Sequence, residues 1–95
     1  MSGNGGTITL RLYGALRHAV GSREVQLPGG EATVKETLRS LTQHHQRAAA
    51  LLFDGQGNVW DSLILLLNEE PAAEGPATPV RSGDVVSVLM PLAGG

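Results

Sequence analysis

The residues best placed to do chemistry in this chain are Gly94-Gly95. They close the sequence just downstream of an apolar, β-branched run, Val85-Val86-Ser87-Val88-Leu89-Met90, and a proline, Pro91. Read as a C-terminus, the pair presents a carboxylate on a stretch of backbone with no side chains around it. Glycine lacks Cβ, so these residues can thread a channel in which any side chain would clash. Pro91 locks its own φ and has no N–H to donate to a sheet, and it biases Met90 toward an extended conformation. The expectation is a strand that stops at Met90 and an arm, residues 91–95, that projects about 16 Å at roughly 3.3 Å per residue.

The other chemically suggestive residues have simpler readings. His44 and His45 are neighbours, so on a helix they diverge, and neither has a carboxylate four positions on; with His18 they do not make a ligand set, and no metal site is expected. Gly29-Gly30 and Gly55-Gln56-Gly57 lack the lysine and hydroxyl that phosphate-cradling loops use, and read as turns. Glu69-Glu70, beside Pro71, read as a solvated loop, and Trp60 as a core or rim anchor. The absence of cysteine excludes a disulfide framework, thiolate metal sites, iron–sulfur clusters and a cysteine nucleophile.

What must hold the arm out can be read from periodicity. Residues 1–6 are rich in glycine and are expected to form a mobile leader, ahead of a domain over residues 7–90 and the tail at 91–95. Ile8, Leu10 and Leu12 alternate with Thr9, Arg11 and Tyr13, the period of a half-buried strand. Residues 15–21 fit a helical turn or a loop. Residues 23–27 form a second strand, with Val25 and Leu27 inward, expected to pair antiparallel with the first. Thr33 and Glu36 fit a capping box, and Val34, Leu38 and Leu41 put one apolar stripe on the helix that follows. A further helical turn is expected over residues 48–52, then a turn at residues 54–58. The continuous run Leu63-Ile64-Leu65-Leu66-Leu67 reads as a strand covered on both faces. Three prolines make residues 69–80 a surface loop with room for one short edge strand. Arg81-Ser82-Gly83-Asp84 is a tight turn into the last strand.

Strand, strand, helix, strand, loop, strand is the order of an α+β, β-grasp (ubiquitin-like) domain. It implies a mixed sheet of about four to five strands with one main helix packed on one face. The helix covers only one side of the last strand. Val86 and Val88 are assigned to the core because the other set contains Ser87. Leu89, Val85 and alternate leucines of residues 63–67, Leu65 among them, are thereby expected on an open face that binds a partner.

Composition narrows the function further. At 95 residues the chain supports one modest core. A hydrophobic fraction of 41% and a charged fraction of 17% are those of a globular protein. No apolar run approaches the ~20 residues of a membrane span, and the first residues lack a signal-like basic and apolar stretch, so a cytoplasmic location with no membrane partner is expected. A net charge of −2 with seven scattered Lys and Arg residues argues against a nucleic-acid partner.

Taken together, these segments resemble the ubiquitin-like sulfur carriers, and most of all the small subunit of molybdopterin synthase. The resemblance is carried by Leu89-Met90-Pro91-Leu92-Ala93-Gly94-Gly95, by Leu10-Arg11-Leu12-Tyr13-Gly14-Ala15-Leu16-Arg17, by Leu27-Pro28-Gly29-Gly30 ahead of Thr33-Val34, and by Gly83-Asp84-Val85-Val86. It covers residues 7–95. It implies that the Gly95 carboxylate, with a reference pKa of about 3.5, is ionised and attacks the α-phosphate of ATP held by a ubiquitin-activating-like adenylating enzyme. A sulfur donor then replaces the adenylate to give a Gly95 thiocarboxylate. Pro91, Leu92, Ala93 and Gly94 would lie in the pocket of the molybdopterin synthase large subunit or an analogous acceptor enzyme. The chain itself would be a stoichiometric reactant with no catalytic side chains and no bound cofactor, ATP and the sulfur source belonging to its partners. The same tail would also suit a carrier for thiazole or cysteine synthesis, a ubiquitin-like modifier conjugated to lysine, or a β-grasp interaction module.

Overall fold

The alternation of the first strand is realised in β1 (Thr7–Leu12), whose Ile8, Leu10 and Leu12 are all buried. Its antiparallel partner β2 (Glu24–Pro28) sets Leu27 opposite Ile8 and Val25 opposite Leu10, so the apolar sets of both strands share one face. A computed structural model of the chain describes residues 6–29 and 32–90. The leader at residues 1–5 and the tail at residues 91–95 lie outside the described residues. Gly6, expected in the leader, accepts a hydrogen bond from the Gly29 N–H at 2.9 Å. The segment that the sequence leaves open between β1 and β2 is a short helix, α1 (Ala15–Val20), anchored by the buried Leu16.

The capping box opens the main helix as expected. Thr33 accepts from the Glu36 N–H at 3.2 Å, and the Glu36 carboxylate accepts from the Thr33 N–H at 3.0 Å. Thr33 ends β3 (Ala32–Thr33), and α2 (Val34–His44) follows, burying Val34, Leu38 and Leu41 together with Thr37. Thr37 is tolerated in the core because its hydroxyl donates to the Thr33 carbonyl at 2.9 Å. The expected further turn is a 3-10 segment, Gln46–Ala48, running into α3 (Ala49–Leu52). The Asp54 carboxylate then accepts from the Gln56 and Asn58 N–H groups at 2.8 and 3.0 Å, folding the turn that brings Val59 opposite Phe53.

The second half of the chain supplies β4 (Ile64–Leu67), β5 (Glu70–Pro71), a 3-10 turn at Gly75–Ala77, β6 (Pro79–Val80) and β7 (Val85–Leu89). The main sheet has the order β2-β1-β7-β4-β5. Within it β1 and the central strand β7 are parallel, while β7 pairs antiparallel with β4. With α2 laid on one face, this is the β-grasp, ubiquitin-like architecture. Where one edge strand was expected within residues 69–80, there are two of two residues each. One is β5 at the rim of the main sheet, where Pro71 is tolerated because its missing N–H faces no further strand. The other is β6, which pairs with β3 in a separate ladder.

β4 departs from expectation. It is not covered on both faces, because Ile64 remains 47% exposed. Among the described residues no helix is long and apolar enough to cross a membrane.

Candidate functional site

Everything near the expected reactive tail is set by β7. Val86 and Val88 are wholly buried on the side facing α2, with Met90 packed against the same core. β7 is therefore fastened along both edges and one face, and it delivers the chain to Met90 in a fixed direction. Leu12 lies opposite Val88 in the parallel ladder, so the ends of β1 and β7 leave the sheet at the same edge. Because β4 is antiparallel to β7, its first residue, Ile64, lies at that edge too, directly opposite Leu89.

The start of β7 is fixed by a side chain. The Val85 N–H donates to Asn68 Oδ1 at 2.9 Å, the Asn68 N–H donates to the Val85 carbonyl at 2.8 Å, and Asn68 Nδ2 reaches Asp84 Oδ1 at 3.1 Å. Asn68 and Glu69 both have positive φ, 53° and 72°, and they form the two-residue connection between Leu67 and Glu70 of the β4–β5 hairpin. Asparagine suits the left-handed region; glutamate at this position is strained. Gly94-Gly95 and the tail residues Pro91, Leu92 and Ala93 fall outside the described residues.

On the open face, Val85 and Leu89 are half-buried on the side away from α2. Leu65 is not with them. It pairs across from Val88 and packs against the core, because the antiparallel register of β4 on β7 gives opposite residues the same face. The residues of β4 on the open face are Ile64 and Leu66, opposite Leu89 and Ser87. Ser87 is itself only 4% exposed despite its open-face position, since its cross-strand neighbours Arg11 and Leu66 are larger and screen it. Ile64, Leu66 and Leu89 thus make a contiguous apolar patch beside the tail exit.

Trp60 is 44% exposed and serves as a rim anchor, its indole N–H donating to the Ala50 carbonyl at 3.0 Å. Glu69 faces Arg11 at 3.8 Å, whereas Arg11 makes its closer pair with Glu24 at 3.2 Å. Among the described residues at this edge, Ile64, Leu66 and Leu89 leave an apolar surface open to a partner.

The chain matches the model of the ThiS family over residues 10–95. Small archaeal modifier protein 1 of Haloferax volcanii is 34% identical over 86 residues, which span 90% of this chain and 97% of that protein. Small archaeal modifier protein 3 of the same organism is 34% identical over 91 residues, spanning 93% and 98%. The crystal structure of small archaeal modifier protein 1 from Haloferax volcanii superposes with a TM-score of 0.85 at 30% identity, covering 95% of this chain and all of that one.

Proposed function

The chain belongs to the ThiS family, and from that premise we propose that it is a ubiquitin-like sulfur carrier activated at the carboxylate of Gly95. The observation that supports this most is the position of β7: the strand that leads into Pro91 and the diglycine is the central one, held by β1, β4 and the core beneath α2. A tail rooted there meets a partner's active site from a rigid base, and the adjoining patch of Ile64, Leu66 and Leu89 gives that partner an apolar surface to cover.

The chemistry needs two steps. The Gly95 carboxylate oxygen attacks the α-phosphorus of ATP bound by an adenylating enzyme, releasing pyrophosphate and leaving a mixed anhydride with AMP. Sulfide then attacks the activated carbonyl, AMP departs, and a thiocarboxylate remains. If the sulfur arrives as an enzyme persulfide, the first product is an acyl disulfide, and a second thiol must reduce it to release the same thiocarboxylate. The chain acts as reactant and subunit, working in the cytoplasm. The acceptor proposed is a pterin precursor held by a molybdopterin synthase-type large subunit, on the strength of the residues 89–95 motif. A thiazole or cysteine pathway would use the same carrier with a different acceptor.

A second reading has its own support: both relatives matched at 34% identity are named modifier proteins. In that case the activated Gly95 carbonyl is captured by a lysine amine of another protein. The test for either is to delete Gly95 or to append one alanine after it. Both changes should abolish ATP-dependent activation while the fold, read by its NMR spectrum, stays intact. Activation that survives either change rules out the tail as the reactive element.

A further inference from the structure

Three of the chain's seven cationic Lys and Arg side chains, Arg11, Arg17 and Arg23, come from three successive segments, β1, α1 and the approach to β2, and converge at one place. The fold brings them together. The Leu12 N–H donates to the Arg23 carbonyl at 2.8 Å, which holds Arg23 beside the end of β1, and Arg17 comes from α1, the next element. Arg17 and Arg23, with His18, line an open groove of about 670 Å³ floored by Gly14, Gly21 and Ser22. Gly14 and Gly21 have φ of 60° and 87°, a backbone that glycine adopts without strain. Arg11, on the neighbouring rim with Tyr13, is already paired with Glu24. Among the described residues Arg17 and Arg23 have no carboxylate partner, and both are exposed.

The groove lies at the sheet edge where the tail leaves, because β1 and β7 end side by side. Five residues of tail span about 16–18 Å at most, so any protein that draws Gly95 into its active site must also cover this edge. We propose that the groove docks an acidic segment of the protein that activates the tail, with Arg17 and Arg23 receiving its carboxylates. This rests on the carrier reading above. Charge complementarity favours that occupant: the chain as a whole carries −2, so a local positive groove at the exit orients an acidic partner that the rest of the surface would repel. Arginine's planar fork also suits carboxylate recognition.

The experiment is ATP–pyrophosphate exchange by the adenylating enzyme of the source organism, with this chain as the varied substrate, at several salt concentrations. The R17E/R23E double variant should raise KM at least about tenfold with kcat retained, and should flatten the salt dependence, as expected when interfacial charges are reversed. R17K/R23K, which keeps the charge but not the planar fork, should raise KM less than R17E/R23E does and should keep the parent's salt dependence. A Gly95 deletion run alongside separates the two ideas. If the deletion is inactive but R17E/R23E keeps the parent's KM and salt slope, the carrier reading stands and the groove proposal is overturned. If the deletion is still activated, the carrier reading falls and the groove proposal falls with it. Binding of a single-stranded oligonucleotide that R17E/R23E loses, with KM unchanged, would give the groove to nucleic acid and equally overturn the proposal.

Discussion

Alanine substitutions at Ile64 and Leu65, made one at a time, separate the two faces of β4. Leu65 packs against the core opposite Val88, so truncating it removes buried methyl groups and leaves a void. Leucine-to-alanine changes in cores cost about 2–5 kcal/mol, and because Leu65 is only half-buried the lower end applies, about 2 kcal/mol. Ile64 is 47% exposed. A fully buried isoleucine contributes roughly 1.5–3 kcal/mol, so its truncation should cost about 1 kcal/mol or less. In a domain of this size each kcal/mol moves Tm by about 4–8 °C. Thermal unfolding followed by circular dichroism should therefore show L65A melting about 8–16 °C below the parent and I64A within about 8 °C of it, the smaller shift of the two. Binding should show the reverse, I64A weakening the complex with the adenylating enzyme more than L65A does. Equal destabilisation by the two variants, or a larger loss for I64A, would refute the face assignment on which the docking surface depends.

Two further perturbations probe the frame around the site. T33A removes the capping box hydroxyl that accepts the Glu36 N–H, and should lower stability by about 1 kcal/mol in urea unfolding without changing the slope of the transition. E69G relieves a glutamate held at φ 72° and gives the β4–β5 connection the Asn-Gly pair that such turns prefer, so it should raise stability by about 0.5–1 kcal/mol. The lost contact to Arg11, at 3.8 Å and on an exposed carboxylate, is too weak to reverse that sign. A destabilised E69G would contradict it.

Local signals made much of this fold legible. The alternation of Ile8, Leu10 and Leu12, the Thr33–Glu36 cap and the Val34, Leu38, Leu41 stripe each depend on residues within a few positions of one another, and each appears as expected. The parity of β7 was readable because Ser87 marks one side. The run at residues 63–67 carries no such mark: every residue is apolar, so only the ladder to β7 decides that Leu65 faces inward and Ile64 outward. The two-residue strands β5 and β6 exist through their partners rather than their own sequences. A glutamate at positive φ runs against its own preference, which hides the hairpin at Asn68-Glu69 from propensity. The arginine groove is hidden for a related reason: Arg11, Arg17 and Arg23 lie within thirteen residues, but residues 15–21 read equally as a helical turn or a loop, and only α1 and the end of the β1–β2 ladder bring the three to one edge.

Whether Gly95 carries sulfur is read by intact mass spectrometry of the protein purified from its own sulfur-replete cells, followed by fragmentation of its C-terminal peptide. A population heavier by the exchange of one oxygen for sulfur, located on Gly95, is expected. A Gly95 that remains an ordinary carboxylate throughout, with the adenylating enzyme present and active, would contradict the carrier reading.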